Sequence, residues 1–145
     1  GIFRGRVTLV DSNAPVAAGR FPAAHGNRLN ASYVDGANRN LAGEAVVDTV
    51  KPVISGVTTD PAYNEAVISW DTDKPADALV RFGESGGDDS FLTKTAYSAE
   101  LATSHEVQLR GLLPDKTYYF QVVNRDAAGN TADPVSSFRS NRKFR

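Results

Sequence analysis

Cysteine is absent from this 145-residue chain, which excludes disulfide scaffolds, thiolate metal sites and cysteine nucleophiles. Methionine is absent too, and the chain opens at Gly1 on an alternating stretch. It is therefore expected to be a processed or excised piece of a longer polypeptide, with any signal peptide lying outside it. Histidine is scarce: His25 and His105 are the only two, too few for a zinc site unless carboxylates complete the shell. An excess of either charge is missing, since the formal net charge is −1, so no global field favours nucleic acid or acidic lipid. No apolar run approaches the ~20 residues of a membrane helix. Apolar residues do not recur at helical spacing over any long stretch, so almost no helix is expected.

What is present is a chain of short alternations separated by turn residues. Hydrophobic residues make up 41%, with 9% aromatics, seven Pro and twelve Gly, a composition that buries a core and punctuates it often. Before Lys51-Pro52, strands are expected at Ile2 to Val10, Arg28 to Asp35 and Gly43 to Val50. Three strands rarely make a stable sandwich, so residues 1–51 read as a short β segment, partial or strand-exchanging. Proline at 52 biases its predecessor to an extended form and marks the boundary. Beyond it come Val53 to Thr59, Ala66 to Asp71, Ala76 to Gly83, Leu92 to Ser98, Ser104 to Leu109, Thr117 to Asn124 and Pro134 to Arg139. Seven strands in about 90 residues is the count of an immunoglobulin-like sandwich. Residues 52–140 form this domain and 141–145 a basic tail.

Alternation assigns the core. Ala66, Ile68 and Trp70 share one face, as do Ala78, Val80 and Phe82, and Leu109, Leu112, Tyr118, Phe120, Val122 and Phe138 join them. Between Leu109 and Tyr118, Gly111 and Pro114 stop both ladders, one by its conformational freedom and the other by lacking a donor. A tyrosine just past such a corner can turn its hydroxyl back to the upstream backbone. Leu109-Arg-Gly-Leu-Leu-Pro114-Asp-Lys-Thr-Tyr118 resembles the corner between the fifth and sixth strands of a fibronectin type III domain, and Trp70 sits where such modules place their buried tryptophan. The resemblance implies an all-β, seven-stranded antiparallel sandwich with Trp70, Leu109, Pro114, Tyr118 and Phe120 as structural residues.

His25-Gly-Asn-Arg-Leu-Asn-Ala-Ser-Tyr-Val-Asp35, followed by Val47-Asp-Thr-Val-Lys-Pro-Val-Ile-Ser-Gly-Val57, is similar to β-rich modules trailing the catalytic domain of bacterial secreted subtilisin-like peptidases. That likeness implies a secreted, non-catalytic setting.

The motifs that could carry chemistry are each weighed against their context. Gly83-Glu-Ser-Gly-Gly87 fits the nucleophile-elbow pattern, with Asp88 or Asp89 and His105 following in chain order. An elbow needs a helix after its serine, whereas Asp88-Asp89-Ser90 leads into another strand, so Ser85 reads as part of a hairpin. Asp35, Asn38 and Asn40, with Asp48 nearby, are weak calcium candidates; their spacing is not that of a calcium loop, and Asx residues favour turns without metal. His25 belongs to a turn with Gly26 and Asn27, and His105 is expected at a strand start, exposed or half packed. Arg139, Arg142, Lys143 and Arg145 carry no aromatic interleaving beyond Phe144 and read as a solvated exit. Asn30-Ala-Ser32 is a glycosylation triplet inside an expected strand. The carboxylates are scattered over turns, with no pair of the glycosidase kind.

No catalytic set emerges, and no cofactor is implied apart from calcium at the sites named. The reading is a non-catalytic accessory, spacer or binding module of a secreted or cell-surface bacterial protein, next to a peptidase or polysaccharide-active enzyme. Its partners are neighbouring domains or identical subunits, without nucleic acid. Two alternatives remain: a protomer of an extracellular filament or surface layer built by β-strand exchange, and a carbohydrate-binding module using exposed aromatics such as Tyr63, Phe91 and Tyr97.

Overall fold

A computed structural model describes residues 8–10, 13–15, 20–34, 36–37, 39–84 and 92–139. It divides into two compact units, Gly1–Val50 and Lys51–Arg145. Among the described residues every regular element is a strand.

The first unit holds two small sheets. Strands β1 (Thr8–Val10) and β2 (Arg20–Pro22) pair in parallel, while β3 (Arg28–Val34) and β4 (Asn40–Val46) form an antiparallel hairpin. The hairpin register runs from Arg28 opposite Val46 to Val34 opposite Asn40. It puts Leu29 opposite Ala45 and Ala31 opposite Gly43 on one face, and an Arg28–Glu44 ion pair on the other. One expectation is corrected here. The strand placed at Gly43 to Val50 begins three residues earlier, because the tight turn closes at Asn40 rather than running through it. Strand β2 carries too few alternating residues to announce itself. Of the strand expected at Ile2 to Val10, residues 1–7 lie outside the described residues.

The second unit is a fibronectin type III-like, immunoglobulin-like sandwich built from β5 (Ile54–Pro61), β6 (Glu65–Gly83), β7 (Lys94–Arg110), β8 (Tyr119–Val123) and β9 (Val135–Arg139). Five strands stand where seven were expected, because β6 and β7 each run through two of them. The first half of β6 pairs with β5 on one side and with the end of β7 on the other; its second half pairs with β8 and the start of β7. The ladder slips between Asp71 and Ala78, and this irregularity lets one strand pass from the first layer to the second. The polar run Thr72 to Pro75 looks like a turn in sequence. In the fold its hydrogen bonds hold an extended bend: Asp73 Oδ1 accepts from Val53 N–H at 2.8 Å, and the Thr72 hydroxyl donates to Lys74 O at 2.9 Å.

Both layers contribute to one interior. Ala66, Ile68 and Trp70 from the first half of β6 meet Ala78, Val80 and Phe82 from its second half, with Val107, Leu109, Leu112, Tyr118, Phe120 and Val122. Edge strand β5 carries a bulge at Gly56, whose φ is +63°. The bulge lets Ile54 and Val57 both pack against the core across an uneven spacing.

Candidate functional site

The most polar place in the interior is where the layers join. The Trp70 Nε1–H donates to Asn124 Oδ1 at 2.8 Å, and the Asn124 amide donates to Asp77 O. His105 stacks on Trp70, with ring centroids 5.2 Å apart, and its Nε2 lies 2.9 Å from Thr72 Oγ1 and 3.4 Å from Asn124 Nδ2. Histidine at 105 is thus buried, 7% exposed, which corrects the expectation of an exposed or half-packed residue at a strand start. Position 105 has the same parity as Val107 and Leu109, so β7 turns it inward. Burial holds its pKa below the usual 6.5, against the opposing pull of Asp71 and Asp77. A base for Ser85 needs an accessible imidazole; this one is enclosed. Ser85, Asp88, Asp89 and Phe91 lie outside the described residues.

A second polar knot closes the turn after β8. Asp126 is buried yet ionised: burial raises its pKa, but hydrogen bonds from Asn130 and Lys74 outweigh this and bring it to about 2. The Lys74 ammonium stands 3.0 Å away, and the Asn130 backbone and side chain donate at 2.9 and 3.0 Å. Gly129 closes the turn at φ +94°.

At the corner before β8, the Tyr118 hydroxyl accepts from Leu113 N–H at 3.0 Å and donates to Glu84 at 3.2 Å. Gly111, at φ +69°, ends β7. Beside Tyr118 the interior void measures about 10 Å³, room for at most one water and for no substrate.

The calcium candidates separate. Asp35 and Asn38 lie outside the described residues, Asn40 opens β4, and Asp48 Oδ1 accepts from Val50 N–H at 3.0 Å and lies 3.4 Å from His25 Nδ1. Among the described residues no three His, Asp or Glu side chains group as a metal shell.

The outer faces of the sandwich differ. On the β5–β6–β7 layer an open depression of about 360 Å³ is lined by Gly56, Thr58 and Ser69, by the run Ser104, His105 and Glu106, and by Trp70 and Asp71. On the β7–β6–β8 layer, Tyr97, Leu79 and Val123 stand side by side in register. Arg81 lies two residues along β6 from Leu79, and Arg125 two residues beyond Val123. Tyr97 is 61% exposed but fixed, because its hydroxyl donates to Asp77 Oδ2 at 3.1 Å. That hydrogen bond, followed by desolvation and then the carboxylate's charge, raises the tyrosine pKa above 10. Asp77 Oδ1 meanwhile accepts from Arg125 N–H at 2.6 Å. Tyr63, also exposed, sits in the β5–β6 turn.

Several solved structures are similar to this chain. The FN1-FN3 domains of chicken CNTN1 align at 15% identity with a TM-score of 0.49, covering 69% of this chain and 35% of that one. A structure described as a myokine aligns at 22% identity with a TM-score of 0.46, covering 63% of this chain and 97% of that one. The chain thus spans about a third of the length of the first of these. No curated protein matches it. A family model described as "Purple acid Phosphatase, N-terminal domain" matches residues 53–140, nearly all of the second unit and more than half of the chain, and on that match the chain belongs to the family of purple acid phosphatase N-terminal domains.

Proposed function

We propose that the chain is a non-catalytic accessory module of a secreted bacterial protein, positioning or serving a neighbouring catalytic domain of the phosphatase, peptidase or polysaccharide-degrading kind. The observation that carries this reading is the state of the interior. Among the described residues every buried side-chain polar atom has a hydrogen-bond partner, and His105, which chain order offers as a base, is committed to Trp70, Thr72 and Asn124. Membership of a family named for a domain N-terminal in an enzyme supports the same role. A peptidase neighbour rests on the likeness of residues 25–57 to modules found beside such enzymes. Secretion rests on the same likeness.

The test is direct. The purified chain is expected to hydrolyse neither p-nitrophenyl phosphate, casein nor ester substrates above buffer, and a fluorophosphonate probe is expected to leave Ser85 unlabelled. Turnover abolished by Ser85→Ala, or stoichiometric labelling of Ser85, would overturn the reading.

The β3–β4 hairpin favours a second reading, a protomer that assembles by strand exchange. Its side chains are exposed along nearly its whole length, and a lone two-stranded ribbon is marginal in water. Assembly that rises with concentration and disappears on deleting Ile2 to Val10 or the hairpin Arg28 to Val46 would favour this reading, whereas a chain that stays monomeric at every concentration excludes it.

A further inference from the structure

We infer that the outer face of the β7–β6–β8 layer, centred on Tyr97, binds an acidic polysaccharide, a chain of uronate-type sugars. The inference rests on reading the chain as a non-catalytic module and names what that module would hold.

Tyr97 offers an aromatic face to solvent while Asp77 holds its hydroxyl, so little side-chain freedom remains to be lost on binding. Leu79 and Val123 extend the row across two neighbouring strands, a flat apolar strip roughly 10 Å long at the usual spacing between strands. A pyranose presents C–H bonds on its flat face, and such a face stacks on an aromatic ring and an aliphatic neighbour.

The flanks supply the charge. The Arg125 side chain is laid along its own turn: Nε donates to Gly129 O at 3.3 Å, and a Cβ at residue 129 would stand 3.2 Å from Nη2. Glycine at 129 thus leaves space for the guanidinium. Arg81 is exposed at the opposite end of the strip, beside exposed Thr95 in register, while Gln121 opposite it on β8 is buried. The one carboxylate among these residues, Asp77, has one oxygen engaged by the Tyr97 hydroxyl and the other by the Arg125 backbone N–H, which leaves the guanidinium out of that contact. Two guanidinium groups about an apolar strip match sugars that carry carboxylates, since planar guanidinium pairs with carboxylate in two-point fashion.

Size favours a sugar chain over a protein. The strip and its flanks cover roughly 10 by 13 Å at strand spacings, far below the ~800 Å² that each partner buries in a standard protein interface. A sugar chain uses a strip this small and repeats weak contacts along its length.

Affinity electrophoresis of the intact chain through gels containing polygalacturonate, hydroxyethyl cellulose or polyglutamate tests the inference. Polygalacturonate is expected to retard the protein and the other two polymers to retard it much less. Tyr97→Ala is expected to weaken retardation about tenfold or more, equivalent to losing one good contact; Arg125→Gln and added salt should weaken it as well, with unchanged circular dichroism. Absence of retardation, equal retardation by polyglutamate, or indifference to Tyr97→Ala would each overturn the site. The hydrolysis assays stand apart from this result, so a chain that neither binds nor hydrolyses loses the sugar site and keeps the accessory role.

Discussion

Asn124 holds more of the second unit together than its size suggests, because its amide serves the indole of Trp70 and the backbone of Asp77 together. Asn124→Ala would leave the buried Trp70 indole N–H unsatisfied, at about 1–3 kcal/mol, and strip a partner from the part-buried Asp77 carbonyl. Trp70→Ala should cost about 3–5 kcal/mol through the cavity it leaves, and Tyr118→Phe only about 1 kcal/mol, the net worth of its corner hydrogen bonds. Urea melts should rank these three with Tyr118→Phe mildest; a Trp70→Ala protein as stable as Tyr118→Phe would contradict the core. Two titrations give the pH dependence its sign. His105 is favoured neutral in the fold, so its contribution is complete above its ordinary 6.5 and declines as pH falls from there through its lowered native value. Asp126 is favoured ionised, so its contribution is complete above its ordinary 3.8 and is lost between there and about 2. Stability should therefore fall in two separate steps on acidification. His105→Gln should remove the upper step and Asp126→Asn the lower, read from melting temperature against pH.

Among elements, alternation made the apolar face of each strand legible, since Ile68, Val80 and Phe120 needed only their parity to be placed inside. The polar residues inside were legible by the same parity, because His105 and Asn124 stand in phase with Leu109 and Val122. Polarity argued for solvent and hid them. What no local rule reveals is the passage of β6 from one layer to the other. Asp71-Thr-Asp-Lys-Pro75 has the composition of a turn, and only its partners at Val53, Ala102 and Asp126, distant in sequence, keep it extended. The turn after β8 is the reverse case, since Asp126-Ala-Ala-Gly-Asn130 has the composition of a turn and forms one. Gly129→Ala should destabilise the unit by about 1 kcal/mol or more, since alanine is strained at φ +94° and its methyl presses on Arg125. Thermal melts of that variant would check it, and an unchanged midpoint would mean the turn relaxes at no cost.

At the scale of the whole molecule, the two units have unequal means of standing alone. The second buries a closed core from five strands, whereas the described part of the first consists of two-stranded ribbons, a number that rarely suffices. A protein cut to residues 51–145 is therefore expected to melt cooperatively, near the midpoint of the intact chain, while residues 1–50 alone should give a disordered circular dichroism spectrum; a non-cooperative melt of the excised second unit would refute this. Strand β6, continuous through both sheets, also has a mechanical consequence. The sheets of a sandwich whose strands turn back at every corner can be peeled apart by breaking contacts alone. Here a pull that separates them must also straighten an unbroken backbone, and the resistance falls on the bend that Thr72, Asp73 and Lys74 fasten. Because β7 passes between the layers as well, the two crossings would share that load.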